Sequence, residues 1–276
     1  NGLAINDPNS GYDETGFSAV ENHCYDPDYK DKKTDQNISN MYANREPRFY
    51  ASVVYQGRSW FKKWMNGNPN YIVDFSAGGG NDLSNGDNVK TGYMLGKFKN
   101  RTVNHASGDT QSWKRVSIIY RLAEFYLFYA EALNETDPSN PDIIKYIDIV
   151  RERAGIPGYQ TMNDNGIKTG IIGNYDKQFD AIQHERYVEL YCEGQRYFDI
   201  RRWMVCGDEG RIGCDQTRFY GMNMKGSKDK TPGEPTSYYT RTKVENRQWT
   251  DKLYLYPIHQ NVIELANGRI PQNYGW

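Results

Sequence analysis

The chain has 276 residues, a formal net charge of −1 from 34 basic and 35 acidic side chains, and 23 tyrosines. That length holds one large hydrophobic core or two modest ones. The balanced charge gives no broad basic field for nucleic acid or an anionic membrane, and no run approaches the roughly 20 apolar residues of a membrane helix.

The N-terminal region, residues 1–43, is polar and punctuated by Asp7-Pro8, Asn9-Ser10-Gly11 and Asp26-Pro27-Asp28, which predicts extended surface segments. Its first residues have neither the charged start nor the apolar run of a secretory signal. Ala51 to Tyr55 is β-rich and predicts a short strand closed by a turn at Gln56-Gly57, while Pro47 argues against a helix through residues 44–50. Residues 66–112 form a long irregular region, and loops of that length usually carry a function. Within it, Asn81 to Asn88 offers oxygens for calcium, but with few carboxylates and without the EF-hand order. The Gly96-Lys97 pair resembles a phosphate loop only in those two residues, because Phe98 cannot ligate magnesium.

The first strong helical pattern runs from about Val116 to Leu133, with Ile118, Leu122, Phe125, Tyr126, Tyr129 and Leu133 on one side. Asn140-Pro141 opens a second helix, where Ile143, Ile144, Ile147 and Val150 repeat until Gly155 and Pro157 end it. The two predict a helical hairpin, the unit of tetratricopeptide-like stacks, although no 34-residue repeat period is visible. A third helix spans about Phe179 to Cys192, pauses at Gly194 and resumes from Arg196 to Met204. Glu185, Glu189 and Glu193 fall at i, i+4 and i+8 and share a side, with Arg186, Arg196 and Arg121 as candidate partners. The expected packing joins the aromatic faces of the first and third helices, with the ion pairs fixing their register.

Cys192 sits on the apolar side of that third helix, where a buried thiol is expected. The spacing of Cys206 and Cys214 allows a disulfide in an oxidising compartment, and the absence of a CxxC pair removes the usual zinc pattern. Residues 207–251 read as loop, stiffest at Thr231 to Pro235. The chain closes with Leu253 to Pro257, a short helix at Asn261–Leu265 and the tail Pro271 to Trp276. The fold class is mainly α: tetratricopeptide-like helical hairpins with long irregular loops and a few short strands.

Catalytic patterns fail on inspection. A zinc protease helix needs His-Glu-x-x-His, but His184-Glu185 is followed by Val188. A glycosidase needs one neutral carboxylic acid, and arginines beside the third-helix glutamates would hold those acids ionised. No cofactor or metal motif is present, so the chain reads as a binding scaffold, not an enzyme.

Several separated motifs then coincide with one family. Asn44-Arg45-Glu46-Pro47-Arg48, Arg121-Leu122-Ala123-Glu124 with Ala130-Glu131-Ala132-Leu133-Asn134, Val150-Arg151-Glu152-Arg153-Ala154-Gly155, Glu185-Arg186 through Arg202-Trp203, and Tyr256-Pro257-Ile258 with Gln272-Asn273-Tyr274-Gly275 follow in the order found in SusD/RagB-like outer-membrane nutrient-binding lipoproteins of Bacteroidetes. The resemblance departs from the family at Glu46, His259 and Tyr274, where Asp, Pro and Pro are usual. It covers residues 44–276 and matches the family's C-terminal half. The expectation is therefore that residues 1–276 are the C-terminal part of a single SusD/RagB-like domain, with the N-terminal helical half and its lipid anchor lying outside this chain.

The resemblance implies a cell-surface protein of the outer membrane. Such a protein caps a SusC-like TonB-dependent β-barrel transporter and captures oligosaccharides, or in some lineages peptides, without catalysis. Sugar rings stack on exposed aromatics, which singles out Trp64, Tyr71 and Tyr220 on the loops. Trp60 is expected beneath the Tyr55–Gly57 turn, and Trp113 and Trp203 in the core. A tetratricopeptide-like protein–protein adaptor is the alternative from another class.

Overall fold

The structure, a computed structural model, describes residues 2–22, 33–60, 71–84, 86, 88–98, 118–207, 219–246 and 248–276. The chain divides into two compact units, one formed by Asn1–Tyr191 and Gly221–Thr242, the other by Cys192–Tyr220 and Lys243–Trp276. The fold is mainly α with a few short strands, as the sequence predicts.

The first unit contains two cores. One gathers Val20, Ile38, Met41, Tyr42, Tyr50, Val54, Tyr55, Trp60, Val73, Phe75 and the pair Tyr238 and Tyr239. Its frame begins with β1 (Phe17–Asn22) and β2 (Lys33–Ser39), which pair antiparallel with an irregularity between Ser18 and Val20. This corrects the reading of residues 1–43 as surface segments. Val20 and Ile38 are buried and Phe17 packs partly buried against the same core, a set too sparse to show an alternation.

A second correction concerns Pro47, which opens α1 (Pro47–Ser52) as its first helical residue. A helix's first N–H groups have no intrahelical acceptor, so a missing N–H costs nothing there and the fixed φ is already helical. The strand expected over residues 51–55 shrinks to β3 (Val53–Val54), paired with β4 (Met94–Leu95). Gly57 then turns the chain with φ +83°, where an added Cβ would lie 2.7 Å from Ile38 Cδ1. Trp60 is buried in this core, as expected.

The second core is helical. The hairpin forms from α2 (Leu122–Thr136) and α3 (Asp142–Arg153), and Ile143, Ile144, Ile147 and Val150 are buried as their spacing predicts. Each such side chain stabilises the fold by about 1.5–3 kcal/mol through burial. A short α4 (Tyr159–Asp164), not apparent from the sequence, follows the turn at Gly155. Then α5 (Tyr175–Glu189) starts earlier than predicted, because Asn174 caps it by accepting the Lys177 N–H at 3.1 Å.

The predicted side of α2 meets the core only in part, through Tyr126 and Leu133, which pack partly buried against it. Ala123, Glu124, Leu127, Ala130, Glu131 and Asn134 are buried, while Ile118, Leu122, Phe125 and Tyr129 are exposed. Small and polar side chains line the inner side of α2, and two buried amides tie α2, α5 and the loop between α2 and α3. Gln178 Nε2 donates to Asn134 Oδ1 at 2.7 Å and to the Pro138 carbonyl at 3.0 Å, and Asn134 Nδ2 donates to the Tyr175 carbonyl at 3.1 Å.

The second unit holds α6 (Gln195–Arg202) and α7 (Gln260–Leu265), with a 3-10 turn at Asp251–Tyr254. The strands β5 (Phe219–Met222) and β6 (Arg241–Glu245) pair with each other. They lie inside the segment read as loop. Cys192 is exposed rather than buried, since α5 has already ended and Cys192 adopts φ +58°. Trp203 is half-buried, with the Arg202 guanidinium 4.6 Å from its ring centroid, a correction to its assignment to the core.

Candidate functional site

Glu185 and Glu189 stand one turn apart on α5 and are both buried. A buried carboxylate is tolerated only when paired and hydrogen-bonded, and here the partners come from three other elements. Arg48, on α1, grips both acids with one Nη1, at 2.5 Å from Glu185 Oε1 and 3.0 Å from Glu189 Oε2. Its remaining nitrogens form a bidentate pair with Glu46, Nε to Oε1 at 3.0 Å and Nη2 to Oε2 at 2.9 Å. From α3, Arg151 reaches Glu185 at 3.3 Å and Arg153 reaches Glu189 at 2.5 Å. Arg121, just before α2, reaches Glu189 at 2.5 Å.

The last carbonyls of a helix have no intrahelical partner and carry its negative end. Glu189 is the last residue of α5, and its carbonyl accepts from Arg121 Nη2 at 2.8 Å and Lys97 Nζ at 3.1 Å. Burial alone would raise the Glu189 carboxyl. The hydrogen bonds from Arg121 and Arg48, with the charges of Arg121 and Arg153, instead hold it down at about 2. For Arg48, burial alone would lower the pKa, but the Glu185 and Glu46 carboxylates outweigh it and the guanidinium is held charged.

Sequence reasoning named Arg121 correctly and missed Arg48, Arg151 and Arg153. Arg186 places its guanidinium 4.2 Å from the Phe128 ring centroid. Glu193 lies past the end of α5. The signal for the missed residues was present in the family motifs, because each contributes one guanidinium to the same pair of acids.

The closing motifs clasp each other within the second unit. The Gln272 side-chain amide accepts the Ile258 N–H at 2.7 Å and donates to the Ile258 carbonyl at 2.9 Å, and Asn273 Nδ2 donates to the Tyr256 carbonyl at 2.6 Å. Gln272 thus satisfies both backbone groups of one residue, as a neighbouring strand would.

Of the predicted ligand residues, Trp64 lies outside the described residues, Tyr71 belongs to the first unit and Tyr220 to the second. Tyr71 packs partly buried against the first core, its hydroxyl donating to Asn81 Oδ1 at 3.4 Å. Its loop is ordered by Asp74, whose carboxylate receives Gln56 Nε2 at 2.7 Å, Ser76 Oγ at 2.6 Å and Lys228 Nζ at 2.6 Å. Burial alone would raise the Asp74 carboxyl, but those partners hold it below its ordinary value. Tyr220 is 36% exposed on β5.

Asp82, the acid at the front of the calcium reading, is engaged by the backbone of its own loop. Its oxygens accept from the Gly78 N–H at 3.0 Å and the Ser84 N–H at 2.9 Å. Cys206 is buried, with Sγ 3.3 Å from the Ile200 carbonyl, and Cys214 lies outside the described residues.

A SusD-like protein, BF3747, from Bacteroides fragilis has a similar structure at 29% identity, with 86% of this chain and 40% of that one covered and a TM-score of 0.66. The solved structure of BT4246 is similar at 26% identity over 92% of this chain and 40% of that one, with a TM-score of 0.69. In sequence, SusD-like protein P2 of Formosa agariphila is 37% identical over 82 residues, which are 30% of this chain and 16% of that protein. The chain thus spans less than half the length of these relatives. The SusD family model matches residues 6–276, and the chain belongs to the SusD family.

Proposed function

We propose that this chain is the C-terminal part of a single SusD-like domain that captures oligosaccharides at the outer face of the outer membrane. The captured glycan passes to a SusC-like TonB-dependent β-barrel transporter, and an N-terminal lipid anchor outside these residues holds the protein at the cell surface. The protein performs no catalysis. Trp64, Tyr71 and Tyr220 supply the rings on which sugar faces stack.

One observation carries this reading. The residues that mark the family spend their charges on one another, and Glu189 is held ionised at about 2, so it cannot serve as a general acid. The four-guanidinium cluster braces helices, and the work of recognition falls to loops. Tyr71 fits that division, because its loop is pinned by Asp74 before any ligand arrives, and pre-ordering lowers the entropy cost of binding.

Electrophoresis in native gels containing a panel of polysaccharides tests the proposal. Retardation by one glycan is expected, weakened about two- to tenfold by Tyr220→Ala or Trp64→Ala if each ring contributes ~0.5–1.5 kcal/mol. Retention of oligopeptides with no glycan retarding the protein would move the reading to peptide uptake. Release of shorter sugars from the bound polysaccharide would overturn the non-catalytic assignment.

A further inference from the structure

Two loops far apart in sequence, residues 71–84 and 223–240, meet within the first unit. The later loop is braced by its own bonds and by the core. The Ser227 N–H donates to the Thr236 carbonyl and the Tyr238 N–H to the Ser227 carbonyl, both at 2.9 Å, while Asn223 Nδ2 donates to the Pro235 and Ser237 carbonyls at 3.2 Å. Tyr238 and Tyr239 then bury their rings in the first core. The earlier loop has a softer frame, because Gly78, Gly79 and Gly80 follow one another and glycine loses the most backbone freedom on ordering.

The braced loop holds the softer one at two points. The Ala77 N–H donates to the Gly226 carbonyl at 3.1 Å, and Lys228 Nζ donates to Asp74 Oδ2 at 2.6 Å across 154 positions of sequence. Gln56 and Ser76 share Oδ1 of the same carboxylate, so Lys228 supplies the ionic partner on the other oxygen. Asp74 passes the restraint on. Its carbonyl accepts the Asn81 N–H at 2.8 Å, its own N–H donates to Asn81 Oδ1 at 3.3 Å, and that oxygen also accepts from the Tyr71 hydroxyl at 3.4 Å. A continuous path therefore runs from Lys228 through Asp74 and Asn81 to the Tyr71 ring. The Lys228 side chain is 50% exposed, and an ion pair that wet contributes little to global stability. Its effect falls on the loop it restrains, since segments open locally at far lower cost than the whole fold.

We infer that Lys228 is a positioning residue for ligand capture, holding Tyr71 in place through Asp74 and Asn81 without itself touching the sugar. The inference rests on the reading of Tyr71 as a ring on which sugar stacks. Restraining the loop before the encounter lowers the entropy lost on binding. An exposed ion pair is screened by salt, so the order of this loop should follow ionic strength, whereas a loop held by packing alone would not.

Amide hydrogen exchange without ligand is compared in the parent, Lys228→Met and Lys228→Arg. Lys228→Met should speed exchange at Ala77 and Asn81 by up to about fivefold, as expected for a pair of this exposure, while the amides of α3 and the thermal midpoint stay unchanged. Lys228→Arg should restore the parent rates. Raising salt from about 0.05 M to about 0.5 M should speed the same amides in the parent and leave Lys228→Met unaffected. Affinity electrophoresis in starch, xylan, galactomannan and alginate then reads capture. The polysaccharide that retards the parent should hold Lys228→Met more weakly by a similar factor, hold Lys228→Arg as the parent, and show no effect of Lys228→Met once Tyr71→Leu has removed the ring. Unchanged exchange in Lys228→Met would overturn the inference, as would faster exchange with undiminished retardation. An effect of Lys228→Met that persists in Tyr71→Leu would place the ammonium on the sugar itself and overturn the positioning role. A parent that none of these polysaccharides retards would refute capture and the positioning role with it, and the exchange rates would then report the bridge separately.

Discussion

Arg121 and Glu189 are 68 positions apart in the chain and meet twice, Nη1 on the carboxylate at 2.5 Å and Nη2 on the backbone carbonyl at 2.8 Å. One guanidinium therefore neutralises a buried acid and also satisfies the frayed end of the helix that bears it. At the other end, Arg121 sits where α2 begins, a position that disfavours a cation, and the carboxylate offsets that cost.

Removing the acid should be more damaging than removing any single arginine. Glu189→Gln leaves Arg48, Arg121 and Arg153 converging on a neutral amide, and breaking such a buried pair costs about 3–5 kcal/mol. Arg153→Met should cost less, because the Arg153 side chain is 56% exposed and exposed partners contribute little. Urea denaturation of both variants checks the order, and equal losses would contradict it.

The same acid sets a pH window. Its carboxyl is depressed from 4.5 to about 2 in the folded protein, so the contribution is complete above the unfolded value and is lost as pH falls through the folded one. The expected loss is on the order of 3 kcal/mol between about pH 4.5 and pH 2. Stability of Glu189→Gln should be flatter across that range. A parent and variant with parallel pH profiles below 4.5 would refute the assignment.

Gly158 illustrates a close approach. The Asp148 carboxylate caps α4 by accepting the Tyr159 and Gln160 N–H groups at 2.6 and 2.9 Å, and an added Cβ on Gly158 would lie 2.5 Å from Asp148 Cγ. Gly158→Ala should cost about 1–3 kcal/mol, and Asp148→Ala about 1–2 kcal/mol through the lost cap. The double variant should lose less than the sum, because removing the carboxylate relieves the clash. Additive losses would show that the two residues are not coupled.

In the second unit, Gln272→Glu keeps the shape of the clasp but replaces its donor with a charge facing the Ile258 carbonyl. An unsatisfied or repelled buried-type partner costs about 1–3 kcal/mol. Faster amide hydrogen exchange at Ile258 and over the tail is expected, with little change in α2 and α3. Unchanged protection at Ile258 would argue against the clasp.

The α2–α3 hairpin was legible because Ile143, Ile144, Ile147 and Val150 repeat without interruption and all are buried. The inner side of α2 was not, because hydrophobicity pointed to the rings while close packing favoured Ala123, Ala130 and Asn134. Leu122, Phe125 and Tyr129 are exposed, so a reading that equates apolar with buried misplaces them. Pro47 misled for a different reason, since the same residue that breaks a helix interior begins α1 without penalty. In the candidate site, the Arg121–Glu189 pairing was legible across 68 positions from the opposite charge patterns of the two helices, but the cations of α1 and α3 carried no such pattern. Arg48 and Arg151 are joined to Glu185 by folding alone, at separations of 137 and 34 positions. Tyr71 was marked as a loop aromatic, but its half-buried anchorage on Asn81 depends on a loop path that no local pattern encodes.

Arg151 and Arg153 each select a different glutamate of α5, and Arg48 touches both. Sliding α5 by one helical turn, about 5.4 Å, would bring one acid onto the wrong cation and strand the other among apolar neighbours. The lattice of charges consequently works as a key with unequal teeth, admitting one alignment of three helices and rejecting its nearest competitor.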